Sequence, residues 1–260
     1  VVENLLEGKA GLVVGVANKR SLAWAIAERL ASAGARLALT YQNDRVEKDV
    51  RALAGTLPQP GPCLPLDVTD DAAIDAAVSG AAGELGGLDI LVHAVAFANA
   101  DDLGGRYVDT GRDGFASALD ISSYSLTALA KRAEPHMRQR GGGSIMSLSY
   151  IASERAVPGY NVMGVAKAAL ESMTRYLAWD LGDGNIRVNA ISAGPVRTLA
   201  ARGIPGFLEM TDRAVARSPL RREITASEVA DAALFLASPL SSAVTGHVLY
   251  VDAGFHAMGM

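Results

Sequence analysis

Short apolar runs alternate with longer helix-patterned segments along the whole chain, and this alternation constrains the fold more than any other feature. The runs Gly11 to Val14, Arg36 to Thr40, Cys63 to Leu66, Ile90 to His93, Ser144 to Leu148, Arg187 to Ile191 and Val248 to Val251 have the length and residue types of strands. Between them lie amphipathic or alanine-rich segments: Leu22 to Ala33, Ala72 to Leu85, Gly114 to Gln139, Tyr160 to Leu181 and Ser227 to Ala237. The strand runs are continuously apolar instead of alternating, as expected where helices cover both faces of a sheet. The pattern predicts an α/β fold with a doubly wound, parallel, seven-stranded Rossmann-like sheet. Half of the residues are hydrophobic, enough for a large core. No Pro/Gly/Ser-rich linker and no internal repeat divides the 260 residues, so a single domain over 1–260 is expected. The segment 198–220 breaks the alternation. It carries Gly203, Pro205, Gly206 and Pro219 and reads as a long loop with short helical pieces, a candidate lid over a binding site.

Charge and composition exclude several classes. The net charge is −4 and the isoelectric point near 5.6, so bulk charge predicts no nucleic-acid partner. No apolar run reaches the roughly 18 residues of a membrane span. The first residues, Val1 to Lys9, lack a basic start followed by an apolar stretch, and a cytoplasmic protein is expected. Cys63 is the one cysteine and reads as a small buried apolar residue. His93, His136, His247 and His256 match no triad or metal spacing, so no metal is expected.

In doubly wound sheets, ligands bind beyond the carboxyl ends of the strands, near the switch in strand order. The first strand runs into Gly15-Val16-Ala17-Asn18-Lys19-Arg20-Ser21-Leu22-Ala23. The strict G-x-G-x-x-G fingerprint is absent, yet its working parts are present. Gly15 suits the tight turn, Ala17 and Ala23 are small, and Ser21 offers a hydroxyl and an N–H to a pyrophosphate at the helix that Leu22 opens. An ordinary strand–helix turn would read the same way. Gln42 ends the second strand, where it can bond a ribose hydroxyl without an acidic group to repel a 2′-phosphate. Lys19, Arg20 and Arg45 are available to such a phosphate, but the balance favours NADH over NADPH. Asp67 follows the third strand, where it suits the adenine amino group, with Val68 against the ring. Alternatively, Asp67 caps the helix that begins near Asp70.

Tyr160 and Lys167 stand seven residues apart in a helix-patterned segment. Seven steps on an α-helix are close to two turns, so the two share one face roughly 10 Å apart. A phenol there can donate a proton or stabilise an oxyanion. The ammonium can hold a ribose and lower the phenol pKa.

Together with Asn189 to Thr198 and Thr245 to Gly254, these residues resemble the short-chain dehydrogenase/reductase family over nearly the whole chain. Most members place Tyr four residues before the Lys, where this chain has Met163, and a serine about where Tyr150 stands. The departures are similar to the enoyl-acyl-carrier-protein reductases of bacterial fatty-acid synthesis. Tyr41 to Asp44, Val92 to Ala98, Tyr160 to Gly164 and Ile191 to Ala201 carry that likeness. Ala94 and Ala96 stand where Ser and Gly are expected, and Asn99 where Pro is expected.

The resemblance implies reduction of the C2=C3 bond of trans-2-enoyl thioesters by NADH, with acyl carrier protein bearing the substrate, in a homotetramer. Tyr160 would stabilise the enolate oxygen and Lys167 hold the nicotinamide ribose. Tyr150 would wall the pocket and assist, or simply pack at a strand end. Val95 and Val196 to Ala200, Thr198 among them, would line the nicotinamide half. Ala98, Met163, Ala200 and Phe207 would face the acyl group. Hydride addition at C3 develops charge on the thioester oxygen two carbons away, so a donor moved one turn outward still reaches it while the Lys holds the ribose. In 201–222, Arg202, Arg213, Arg217, Arg221 and Arg222 outnumber Glu209 and Asp212. That bias would steer an acidic carrier, or form a solvated face. The alternatives are a 3-oxoacyl thioester reductase and a non-catalytic dinucleotide-binding protein of the same fold.

Overall fold

The computed structural model describes residues 4–199, 201 and 206–259. β1 (Ala10–Val14) runs into α1 (Leu22–Ser32), then come β2 (Arg36–Tyr41), α2 (Asp44–Ala54), β3 (Pro60–Pro65) and α3 (Asp71–Leu85). β4 (Ile90–His93) is followed by the short α4 (Ala100–Leu103), α5 (Arg112–Leu119), α6 (Ser125–Gln139) and β5 (Gly143–Ser149). α7 (Asn161–Leu181), β6 (Ile186–Ala193), α8 (Phe207–Arg217), α9 (Ala226–Ala237) and β7 (Val248–Val251) complete the order.

The seven strands form one sheet in the order β3-β2-β1-β4-β5-β6-β7, and every pair is parallel. The order reverses between β1 and β4, so a crevice opens beyond their carboxyl ends. Side chains alternate between two buried layers. Val13, Val92, Met146 and Ile191 pack with the core that α1 and α9 complete. Leu12, Val14, Leu91, Ile145 and Val188 pack with residues of α3, α6 and α7. Full burial of each such Leu, Ile or Val contributes ~1.5–3 kcal/mol, and covering both faces explains the unbroken apolar runs.

The helix starts follow from side chains that satisfy the first N–H groups. Ser21 caps α1, accepting from the Trp24 N–H, and Asp70 caps α3, accepting from Ala72. Thr225 and Glu228 form a reciprocal capping box on α9. No helix among the described residues is long and apolar enough to cross a membrane.

Several elements differ from the sequence expectation, the short α4 among them. α2 was not expected, because it presents Asp44, Arg45, Glu47, Lys48, Asp49 and Arg51 and buries only Val50 and Ala54. β3 starts earlier than expected, at Pro60, and ends at Pro65. As an edge strand it tolerates prolines that lack an N–H. The helix expected over Gly114 to Gln139 is interrupted by a π-helical turn, Asp120–Tyr124. The 198–220 segment contains a full helix, α8, in place of short helical pieces.

Candidate active site

The end of β5 ties three parts of the crevice together. The Leu148 carbonyl accepts a hydrogen bond from Lys167 Nζ at 2.7 Å. The Ser149 hydroxyl donates to the Glu171 carboxylate. The Tyr150 ring packs on Tyr160, with centroids 4.9 Å apart and planes inclined by 55°. Tyr150 also donates from its hydroxyl to the Met210 sulfur of α8 at 3.0 Å, so the lid helix touches the tyrosine pair.

Tyr160 corrects the helix count. It is the residue before α7, with φ −113° and ψ −24°, between two left-handed residues, Gly159 at φ +80° and Asn161 at φ +32°. Asn tolerates that region, and the Asn161 amide donates to the Gly104 carbonyl at 3.0 Å. The phenol therefore leaves the chain from a turn, and only Met163 and Lys167 lie one helical turn apart on α7, both buried.

Electrostatics separate the two groups. Burial, reinforced by Tyr150, holds the Tyr160 phenol above its ordinary range. The net direction is opposite to the lowering expected from Lys167, because desolvation of a phenolate sets it. Burial likewise pushes Tyr150 up to about 12. Burial pushes the Lys167 ammonium down to about 8, opposed by Glu171. His93, fully buried at the end of β4, is pushed down to about 3 by burial and by Lys167. Its Nε2 meets the Ser125 hydroxyl at 2.7 Å, and that hydroxyl already donates to the Ile121 carbonyl. His93 is thus the neutral tautomer with its proton on Nε2.

At the nucleotide loop, Gly15 has φ +104°, and a Cβ there would sit 2.3 Å from the Ala94 carbonyl oxygen. Only glycine lets the β1–α1 turn lie against the exit of β4. Ser21 differs from expectation. Its hydroxyl and its N–H both donate to the Asn18 carbonyl, which leaves the N–H groups of Leu22 and Ala23 as the first of α1 without a partner inside the helix. Gln42 is exposed at the tip of β2. Asp44 and Glu47 lie in the first turn of α2 just beyond it, so acidic groups do stand near this position. Asp67 does not cap α3. It accepts from the Thr69 N–H and hydroxyl at 2.9 and 2.7 Å, while Asp70 takes the capping role.

Val68 and Val95 are half-buried against the α3/α6/α7 layer, and Val196 against the α1/α9 layer. Ala98 and Tyr160 pack on a separate apolar cluster of Leu103, Met163 and Ala166. Thr198 and Phe207 line a cavity of about 680 Å³ with Arg20, Arg197 and Glu209, so the lid faces the nucleotide loop. Ala200 and Arg202 lie outside the described residues. Among the described residues, no cluster of His, Cys, Asp or Glu could hold a metal.

Sequence reasoning missed Glu171, although its place four residues after Lys167 was a usable signal. It also missed Ser122, whose hydroxyl accepts from the Phe97 N–H at 2.9 Å and donates to the Phe97 carbonyl at 3.0 Å. The π-turn aims Ser122, Ser123 and Ser125 inward, at Phe97, Ala166 and His93 respectively. No periodicity in the sequence reports such a turn.

A parallel doubly wound sheet with a glycine turn at the switch point, and a buried lysine beside paired tyrosines, defines a dinucleotide-dependent oxidoreductase of the short-chain dehydrogenase/reductase type. Residues 15–256 match the family described as enoyl-(acyl carrier protein) reductase, and the chain belongs to that family. It is 52% identical to an NADH enoyl-acyl-carrier-protein reductase of Rhizobium meliloti, covering 98% of this chain and 93% of that one. The enoyl-acyl-carrier-protein reductase of Anaplasma phagocytophilum in complex with NAD superposes with a TM-score of 0.95 at 49% identity, covering 99% and 97% of the two chains. That of Bacillus cereus, with NADP+ and an indole naphthyridinone, gives a TM-score of 0.96 at 50% identity, covering 99% and 100%.

Proposed function

We propose that the protein reduces the C2=C3 bond of trans-2-enoyl thioesters carried on acyl carrier protein, with NADH as reductant. The observation that carries this reading is Met163, buried one turn before Lys167, with the Tyr160 phenol outside it at the helix entrance. A carbonyl reductase needs its acid beside the carbon that receives hydride. Reduction at C3 needs a donor two carbons farther out.

The residues fit the cofactor. Leu148 accepts one of the three ammonium protons of Lys167, so two remain for the hydroxyls of a ribose. The Gly15 turn and the start of α1 suit the pyrophosphate. Val95, Val196 and Thr198 would flank the nicotinamide. Gln42, Asp67 and Val68 would hold the adenosine end. Asp44 and Glu47 near Gln42 favour an adenosine ribose without a 2′-phosphate, although a relative binds NADP+. When bound, NADH supplies the hydride.

As hydride reaches C3, the electron pair of the double bond moves through C1 to the thioester oxygen. The Tyr160 phenol, kept protonated by burial, donates a hydrogen bond to that oxygen, stabilises the enolate and supplies or relays a proton. Tyr150 positions the Tyr160 ring and walls the pocket. Ala98, Met163 and Phe207 supply apolar surface to the acyl chain. Arginines of the lid, Arg217 and Arg221 among them, would steer the acidic carrier. The same reading takes 1–260 as one domain around its single sheet, acting in the cytoplasm as a homotetramer.

The test is Tyr160→Phe. Enoyl-dependent NADH oxidation should fall while the NADH dissociation constant stays near wild type. Wild-type turnover would refute the assignment.

A further inference from the structure

Glu171 is a buried carboxylate that the mechanism above does not use. It is 6% exposed and lies one turn beyond Lys167, itself 5% exposed, on the inner face of α7. The two head groups make separate bonds to adjacent residues of β5, Lys167 to the Leu148 carbonyl and Glu171 to the Ser149 hydroxyl. A buried carboxylate is costly unless something offsets it. No direct ion pair joins the two, so the Lys167 ammonium one turn away and the carboxylate act on each other through space.

We propose that Glu171 is a positioning residue that keeps Lys167 charged, with Ser149 fixing the direction of the carboxylate. This rests on the reading that Lys167 holds the cofactor ribose. Burial favours the neutral amine, and Glu171 is the group that acts against it. Without that carboxylate, the ammonium would be lost at lower pH, and with it the donors that meet the ribose.

The neighbouring titratable groups come from several elements. His93 on β4 is held neutral. Tyr150 and Tyr160 beside the start of α7 are held protonated. Tyr250 on β7, which feels Glu171, is held protonated and donates to Glu154. Behind it, His256 stacks on the Tyr250 ring at 4.0 Å and contacts Asp252. Burial brings the Lys167 ammonium down to about 8, within reach of a titration in solution. The outer groups are common to wild type and variant and cancel in the comparison.

The experiment uses the full chain labelled with ¹³C at lysine Cε. Lys167 is assigned with a Lys167→Met variant and titrated by NMR without cofactor. Wild type should titrate near 8. Glu171→Gln, which keeps an acceptor for Ser149, should move the midpoint about one pH unit lower or more, a tenfold change in the charged fraction on the alkaline side. Glu171→Asp keeps the charge and should stay near wild type. NADH affinity, from cofactor fluorescence, should weaken in Glu171→Gln as pH rises through the lowered midpoint. An unmoved Lys167 midpoint in Glu171→Gln overturns the proposal. If that variant does not fold, a Lys167 midpoint in Glu171→Asp well below that of wild type does the same. A lowered midpoint with unchanged NADH affinity would leave the role of Glu171 standing and remove the ribose role of Lys167.

Discussion

Single residues set the chemistry by where burial places them. A phenol that stays protonated is a donor at any pH near neutral, whereas the Lys167 ammonium is lost as pH rises through about 8. Lys167→Ala should therefore weaken NADH binding and turnover together. Tyr160→Phe should lower kcat alone, by about 10²–10³ if the phenol is a principal donor to the enolate oxygen. Steady-state kinetics beside cofactor titration separate the two patterns, and a joint loss in Tyr160→Phe would contradict them. Gly15→Ala would place a Cβ 2.3 Å from the Ala94 oxygen at a positive φ. The cost should be about 1–3 kcal/mol, visible as a lower urea midpoint and weaker NADH binding. An unchanged midpoint would mean that the turn relaxes without strain. Gly15, Lys167 and Tyr160 could be singled out in the sequence because each stands at a place that few residue types can serve. The direction of the Tyr160 shift was not legible, since it depends on how far the fold buries the ring.

Elements decide which side chains meet. The inner strands were readable because both of their faces are buried and their apolar runs are unbroken, whereas the edge strand β3, half-buried and rich in proline, was misplaced. α2 was not readable, since its inward stripe is narrow and the rest is charged. The π-turn was hidden for another reason: Ser122, Ser123 and Ser125 look like surface residues until their neighbours are known. The lid shows a similar limit. Its prolines and glycines marked an irregular segment, but α8 and the Tyr150–Met210 contact needed the fold. The lid arginines divide by contact. Arg213 pairs with Glu209, and Arg222 with Glu228, while Arg217 and Arg221 are exposed. Reversing Arg217 or Arg221 to Glu should raise KM for carrier-bound substrate far more than for a coenzyme A thioester. Equal effects on the two substrates would remove the docking role.

At the scale of the whole molecule, one parallel sheet with its order reversed between β1 and β4 gathers loops that lie far apart in sequence into one crevice. The alternation of strands and helices was enough to expect that arrangement. The outer surface was less legible. Tyr176 and Trp179 on α7 are 73% and 85% exposed, and exposed aromatics spaced one turn apart suit burial against another copy of the chain. In the proposed homotetramer, Trp179→Glu should shift the mass in light scattering toward smaller species, and an unchanged mass would move the interface elsewhere. The central claim is the displaced donor. Its most direct test compares NADH oxidation with a trans-2-enoyl thioester and with a 3-oxoacyl thioester under identical conditions. Oxidation driven by the enoyl substrate alone is the predicted result. Oxidation driven by the 3-oxo substrate alone would contradict the account and point to Tyr150 as the donor of a carbonyl reductase.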